Sequence, residues 1–159
     1  MVKNEIKDFA MKILFMIFLT LLSRSAFSGS ISFVGPCDAN PLFVETFDSI
    51  EEKNVGELTV STLENNQIPF IGSEMGMNSI FNTPTGRDAM EIIGDNELLA
   101  YGWCYKINDF EPGHYPHEIP VSAEDHIVWW FGYAHYKDGQ WISQCELGHL
   151  RRSPQFCSN

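Results

Sequence analysis

The sequence predicts a small α+β domain that contains more strand than helix. Three observations indicate this class. Two aromatic, strand-like runs flank a polar loop between Tyr101 and Tyr136, and a single capped helix pattern follows Asn54. A start typical of export precedes four cysteines, an even number that can close two disulfides.

The two aromatic runs are predicted to be strands. In the first, Tyr101, Trp103 and Tyr105 share one face because side chains alternate along a strand. The second run, residues 127–134, is apolar on both faces, with Trp129 and Trp130 on opposite sides. A strand of this kind is covered on both sides, so we expect it to be central in a sheet.

The first 28 residues are predicted to be a signal peptide, and residues 29–159 to form a single domain. An apolar run from Ile13 to Leu22 follows Lys12, and Ala26-Phe27-Ser28 has the small-x-small pattern of a cleavage site. This run is too short to span a bilayer, which takes about 20 residues. Met11 is an alternative start of translation. We therefore expect a secreted or periplasmic protein without stable membrane insertion after cleavage.

The predicted mature chain is strongly acidic. The first 28 residues hold four of the 10 basic and two of the 21 acidic residues, which leaves a formal net charge of −13 for the rest. Such a chain repels nucleic-acid phosphates and anionic lipid, so neither is an expected partner. The charge also favours solubility, and this simpler reading competes with an acidic interaction surface.

Four cysteines lie beyond the predicted signal peptide: Cys37, Cys104, Cys145 and Cys157. In an exported chain they indicate two disulfides, and their wide spacing argues against a zinc ribbon. Three pairings are open. If the tail from residue 146 onward is irregular and needs pinning, Cys145 and Cys157 each bond back to Cys37 and Cys104, in either order.

Capping and composition signals predict the elements of the N-terminal half. Residues 42–47 are predicted to be the first strand. Asn54 is predicted to cap a helix over residues 55–66, with Glu57 as its reciprocal partner. Residues 72–86 are predicted to be mostly loop, because they are rich in Gly, Ser, Asn, Thr and Pro.

Turn signals predict the remaining elements. Residues 89–93 form a short strand or a helical turn, and Gly94-Asp95-Asn96 turns the chain into the first aromatic strand. Asn108-Asp109 ends that strand in a turn. Lys137-Asp138-Gly139 predicts a C-terminal hairpin, with residues 140–144 as the returning strand.

Two motifs in the central stretch carry a family resemblance. The first is an aromatic strand that ends in a turn: Trp103, Tyr105, Ile107 and Asn108. The second is a strand entered from a turn: Asp125, Ile127 and Trp129, with Glu124 where glycine is usual. In this pattern the chain resembles the transcobalamin-like C-terminal domain family, mostly bacterial exported domains of unassigned function. The resemblance implies a β-grasp-like fold, with a mixed sheet packed on one helix, and no catalytic residue.

The histidines offer one alternative chemistry. His114 and His117 could bind zinc or copper together with Glu118, Glu124 or Asp125. They lie in a proline-containing loop rather than on a helix that would align the two rings, so solvated histidines are the simpler interpretation. No nucleophile elbow or phosphate-binding loop is present in the sequence. We therefore predict no catalytic residue, no metal and no cofactor.

The aromatic residues are the other candidates for a site. Exposed rings stack on flat ligands or partner proteins, which gives five candidate binding residues: Tyr101, Trp103, Tyr105, Trp130 and Tyr133. The competing interpretation is that most of them fill a small core. Trp130 and Tyr133 fall on opposite faces of one strand, so the five rings do not all line one pocket.

Together these features predict an exported, disulfide-stabilised, non-enzymatic and monomeric binding module for a small ligand or a protein partner. In transcobalamin-type proteins, such a domain covers one side of a bound cobalamin beside a larger helical domain. No segment of this sequence resembles that helical domain, so a protein partner is at least as well supported as cobalamin. The alternatives are a small metal-dependent hydrolase that uses His114 and His117, and a purely structural envelope protein.

Overall fold

The computed structural model describes residues 28–47 and 53–157. They form a mostly β, α+β domain with a curled, mixed six-stranded sheet, one short helix and a separate two-stranded hairpin. The strands are β1 (Gly29–Val34), β2 (Pro41–Phe47), β3 (Phe70–Ser73), β4 (Gly76–Ile80), β5 (Met90–Gly94), β6 (Glu97–Ile107), β7 (His126–Lys137) and β8 (Gln140–Leu147). The helical segments are α1 (Val55–Asn65), the single turn α2 (Gly148–Arg151) and two 3₁₀ turns (Gly86–Ala89, Pro116–Glu118).

Residues 1–27 of the predicted signal peptide lie outside the described residues. Within the part of the chain that the structure describes, no helix has the length and apolar character needed to cross a bilayer.

The strand order of the main sheet is β2-β1-β7-β6-β5. Strand β1 runs parallel to β7, and the other pairings are antiparallel. Strands β1 and β8 share one edge of β7, because β1 pairs with residues 126–130 and β8 with residues 132–137. The prediction that the second aromatic run is a central strand is confirmed.

The core lies between α1 and one face of the sheet. Ile127, Trp129 and Phe131 of β7 are almost fully buried on that face. Trp129 also donates a hydrogen bond from Nε1 to Thr59 Oγ1 on α1, at 2.9 Å, and Thr59 in turn donates to the Val55 carbonyl at 2.7 Å. The buried indole N–H is therefore satisfied, and it fixes the helix to the central strand.

The predicted start of α1 is confirmed in detail. The Glu57 amide donates to Asn54 Oδ1 at 2.8 Å, and the Asn54 amide donates to Glu57 Oε2 at 3.0 Å. This reciprocal pair satisfies two amides that the helix leaves without partners.

Three predicted elements need correction. The strand at residues 42–47 is β2 rather than the first strand, because β1 precedes it. Strand β3 overlaps the start of the stretch predicted as mostly loop and β4 lies within it, and Pro69 and Gly72 mask the strand character of β3. The tail is not irregular throughout, since β8 extends to Leu147 and the turn α2 follows directly.

Both predicted disulfides are present. Cys157 bonds to Cys37 and Cys145 to Cys104, so each C-terminal cysteine joins an earlier part of the chain. Two disulfides are typical of a protein outside the cytoplasm, which supports an extracytoplasmic location.

A polar cluster holds the C-terminal segment against the sheet. Glu91 Oε1 accepts from Arg151 Nη2 at 2.6 Å, and Glu91 Oε2 accepts from Tyr101 Oη at 2.8 Å and from Ser153 Oγ at 3.2 Å. The Arg151 guanidinium, with help from Tyr101 and Ser153, lowers the pKa of Glu91 from its ordinary value of 4.5. Burial, together with the Glu91 carboxylate, raises the pKa of Tyr101 to about 12, so its hydroxyl remains a donor.

Replacing the central indole should destabilise the fold severely. We expect Trp129→Ala to lower the free energy of unfolding by about 3–5 kcal/mol, because it opens a cavity and leaves Thr59 without its donor. Urea denaturation of the oxidised protein measures this change. Trp141→Ala is the matched control, since that ring is 52% exposed and its loss should cost less than about 1 kcal/mol. Equal losses in the two variants would contradict the core assignment.

The Glu91 cluster should make stability sensitive to acid. A carboxyl group with a lowered folded pKa stabilises the protein above its ordinary pKa of 4.5, and this contribution disappears as pH falls through the folded value. Glu91→Gln should therefore cost about 1–3 kcal/mol near neutral pH. The gap between variant and wild type should shrink as the pH falls below 4.5, measured by urea denaturation at neutral pH and at a series of lower pH values. Glu124→Gln, an exposed carboxylate, is the control; a Glu91 gap that stays constant with pH would disprove the electrostatic explanation.

Candidate binding groove

A groove of about 860 Å³ lies at the edge of the main sheet. The β3–β4 hairpin forms one wall and the segment from Glu111 to Pro116, called here the proline loop, forms the other. Its floor is β6 around Cys104, together with the disulfide to Cys145. The volume is within the range of about 300–1,000 Å³ that ligand pockets usually have.

The hairpin wall is held in place by α1. Gly56 lies in the first turn of that helix, and the Glu74 carbonyl at the hairpin tip packs directly on its Cα position. A Cβ at residue 56 would collide with that carbonyl, so the hairpin sits this close only because residue 56 is glycine. The wall presents Ile71 and Met75, which are 60% and 59% exposed.

The proline loop is fixed in its middle and at its end. In the middle, the Tyr105 hydroxyl donates to the His114 carbonyl at 2.8 Å, and burial raises the pKa of Tyr105 to about 12. At its end, the Tyr115 amide donates to Glu118 Oε2 at 2.9 Å, and the Val55 amide of α1 donates to the Ile119 carbonyl at 2.9 Å. The loop therefore has a defined shape without regular structure, and it presents the Tyr115 ring, which is 60% exposed.

Side chains from both faces of β6 contribute to the floor of the groove. Trp103 and Tyr105 point to the core face, and Cys104 between them points to the opposite face, yet all three line the groove. The groove therefore runs along the edge of the strand rather than over one face of the sheet. Its lining contains the carboxylate of Glu111 and the imidazole of His114, but no lysine or arginine.

The five predicted binding residues do not form one site. Tyr101, Trp103 and Trp130 are 8%, 9% and 3% exposed, so their rings mainly fill the protein interior. Trp130 lies on the face opposite the core and donates from Nε1 to the Cys145 carbonyl at 3.0 Å. Tyr105 and Tyr133 are half-buried. Of the five, Trp103 and Tyr105 line the main groove.

Sequence analysis missed the exposed apolar residues of the groove: Ile71, Met75 and Tyr115. Met75 and Tyr115 lie within stretches rich in Gly, Ser or Pro, and Ile71 directly precedes such a stretch, so no periodicity marks them. The available signal was the presence of large apolar side chains in or directly beside loops, where there is no core to fill.

The predicted metal alternative is not assembled as a ligand set. His114 Nδ1 lies 3.8 Å from Glu118 Oε2 at the groove rim, and the His117 ring stacks on Tyr115 with centroids 5.9 Å apart. Asp125 is engaged elsewhere, with Asn108 and the Ser122 amide. Across residues 28–47 and 53–157, no group of three or more His, Cys, Asp or Glu side chains is placed to hold a metal ion.

No family model and no curated protein matches the chain. Among solved structures, the chain is similar to one described as a "putative metal binding protein" from Ruminococcus gnavus, with 15% identity and a TM-score of 0.44. The similarity covers 65% of this chain and 94% of that chain. A likeness at this level supports no inference about fold, ligand or mechanism.

Proposed function

We propose that the chain is an exported, non-enzymatic binding module whose ligand occupies the groove between the β3–β4 hairpin and the proline loop. The observation that carries the proposal is the set of exposed apolar side chains around one groove: Ile71, Met75 and Tyr115. These residues gain nothing from the core, and contact with a ligand would remove their apolar surface from water.

Binding rather than catalysis is supported by how the polar groups of the groove are used. Ser73 Oγ accepts from the Met75 amide at 3.3 Å, and the Tyr105 hydroxyl donates to a carbonyl. These hydroxyl groups hold the walls in shape instead of pairing with His114 as a nucleophile pairs with its base. Together they favour a preformed, rigid site.

The family and the location belong to the same proposal. We propose a β-grasp-like arrangement, in which α1 packs on the curled sheet, and kinship with the transcobalamin-like C-terminal domains. The motif residues support it, since Trp103 and Tyr105 lie on β6, Asn108 in the turn that ends it, and Trp129 on β7. The protein is secreted or periplasmic and monomeric after signal cleavage, with a small ligand or an envelope or extracellular protein as its partner.

A fragment screen by NMR tests the site. The oxidised, exported protein labelled with ¹⁵N is titrated with a cocktail of small aromatic and aliphatic fragments. We expect amide shifts concentrated at residues 71–78 and 111–116, because the exposed apolar groups there offer the largest gain on contact. Shifts confined to the opposite sheet face around Gly102 and Trp141, or no shifts with any fragment, would overturn the proposal.

A matched pair of variants sharpens this test. Ile71→Arg places a charge in the groove and should weaken fragment binding by about tenfold or more. Ile92→Arg makes the same change at a residue of β5 that is 81% exposed and outside the groove, and it should bind like wild type. Equal behaviour of the two variants would place the binding site elsewhere.

A further inference from the structure

Among the described residues, part of the backbone edge of β6 has no strand paired with it. Strand β5 pairs with β6 at residues 97–100, and Phe110 bridges Ile107 at the other end. Between these points, no described strand pairs with β6 on the side away from β7. Unpaired edges of this kind are ready templates for another extended chain.

The register shows which groups point outward along this edge. The Asn108 amide donates to the His126 carbonyl of β7, whereas Ile107 and Phe110 exchange two hydrogen bonds of 2.9 Å on the other side. Backbone groups alternate in direction along an antiparallel strand, so Trp103 and Tyr105 direct their N–H and C=O away from β7, as Ile107 does. Among the described residues, neither backbone makes a hydrogen bond outside the regular ladders.

The groove lies on this edge. Trp103 and Tyr105 line it, and a smaller hollow of about 430 Å³ continues along Tyr101 and Gly102 towards β5. Ile71 and Met77 of the hairpin border both spaces. The open edge from Tyr101 to Tyr105 therefore spans about 14 Å at the usual strand rise, which matches five residues of an extended chain.

We propose that this groove binds an extended peptide segment of a partner protein, which adds to β6 as a new strand. This inference rests on the proposed function of the groove and names its ligand class. Main-chain hydrogen bonds to Trp103 and Tyr105 hold the segment, and its alternate side chains contact Ile71 and Tyr115.

The charge of the groove indicates which side chains the bound segment carries. The lining holds the Glu111 carboxylate and no lysine or arginine, within a chain whose formal net charge beyond residue 28 is −13 with histidine neutral. A segment with lysine or arginine alternating with apolar residues complements this surface. A second copy of the chain does not, because two such acidic copies repel each other.

A patterned peptide library tests this inference. Its members are octapeptides with Val, Ile, Phe or Tyr at alternate positions and Lys, Arg or Thr between them, screened against the oxidised, exported protein. The tightest member is then N-methylated on its even-numbered or its odd-numbered amides, because one set faces β6 and the other faces away. Fluorescence anisotropy should show one methylated form weakened by about tenfold or more and the other nearly unchanged.

The results of the fragment screen and the peptide screen together distinguish failure of strand addition from failure of the proposed binding site. If fragments occupy the groove but no library member binds at about 1 mM, or if both methylated forms bind like the parent, strand addition is wrong and the groove remains a small-ligand site. If neither fragments nor peptides shift the groove amides, the proposed function fails as well. A dimer in sedimentation velocity that the peptide dissociates would make a second copy the occupant and overturn the proposal.

A charge-matched pair of variants tests the preference for a basic segment. Glu111→Lys should weaken the selected peptide by about threefold or more, with the loss shrinking at high salt. Glu124→Lys changes the charge equally at an exposed residue outside the groove and should leave affinity within about twofold. Equal affinities in both variants would show that the groove does not select a basic segment.

Discussion

The packing of α1 on β7 is the constraint on which the rest of the structure depends. The Trp129 indole is buried between them and donates to Thr59, so it sets both the distance and the register of the helix on the sheet. The first turn of the same helix then holds both walls of the groove. Gly56 receives the tip of the β3–β4 hairpin, and the Val55 amide binds the Ile119 carbonyl after the proline loop. The width of the groove is therefore a property of the core.

This dependence explains why aromatic content alone was a poor guide to the site. A small domain has few residues with which to build a core, so its largest rings are used there. Trp103 contributes to both the core and the groove. Its ring packs among core residues and its Nε1 donates to Thr83 Oγ1 at 2.8 Å. Its backbone faces the groove. The side chains free to contact a ligand are instead single apolar residues on the two walls.

The parts of the fold that sequence predicted are those specified by local chemistry. The Asn54–Glu57 capping pair, the alternation of β6 and β7 and the Asp138-Gly139 turn each involve neighbouring residues. The pairing of β1 with β7 was missed because the two strands lie about a hundred residues apart, and no local signal encodes that pairing. The groove was missed for the same reason, since its walls come from separate segments that only the tertiary packing of α1 brings together.

The parallel pairing of β1 with β7 has a consequence for biosynthesis. The N-terminal β1–β2 hairpin is made first, yet the strand that covers its other edge is among the last to be made. Ile31 and Phe33 are fully buried in the finished domain. Until β7 is made they have no core to pack into, so the nascent chain exposes apolar surface that is prone to aggregation. Cys37 and Cys104 are the first two thiols to emerge, and they are not partners. Oxidation in order of appearance would join Cys37 to Cys104, and the final pairs would then form only after thiol–disulfide exchange.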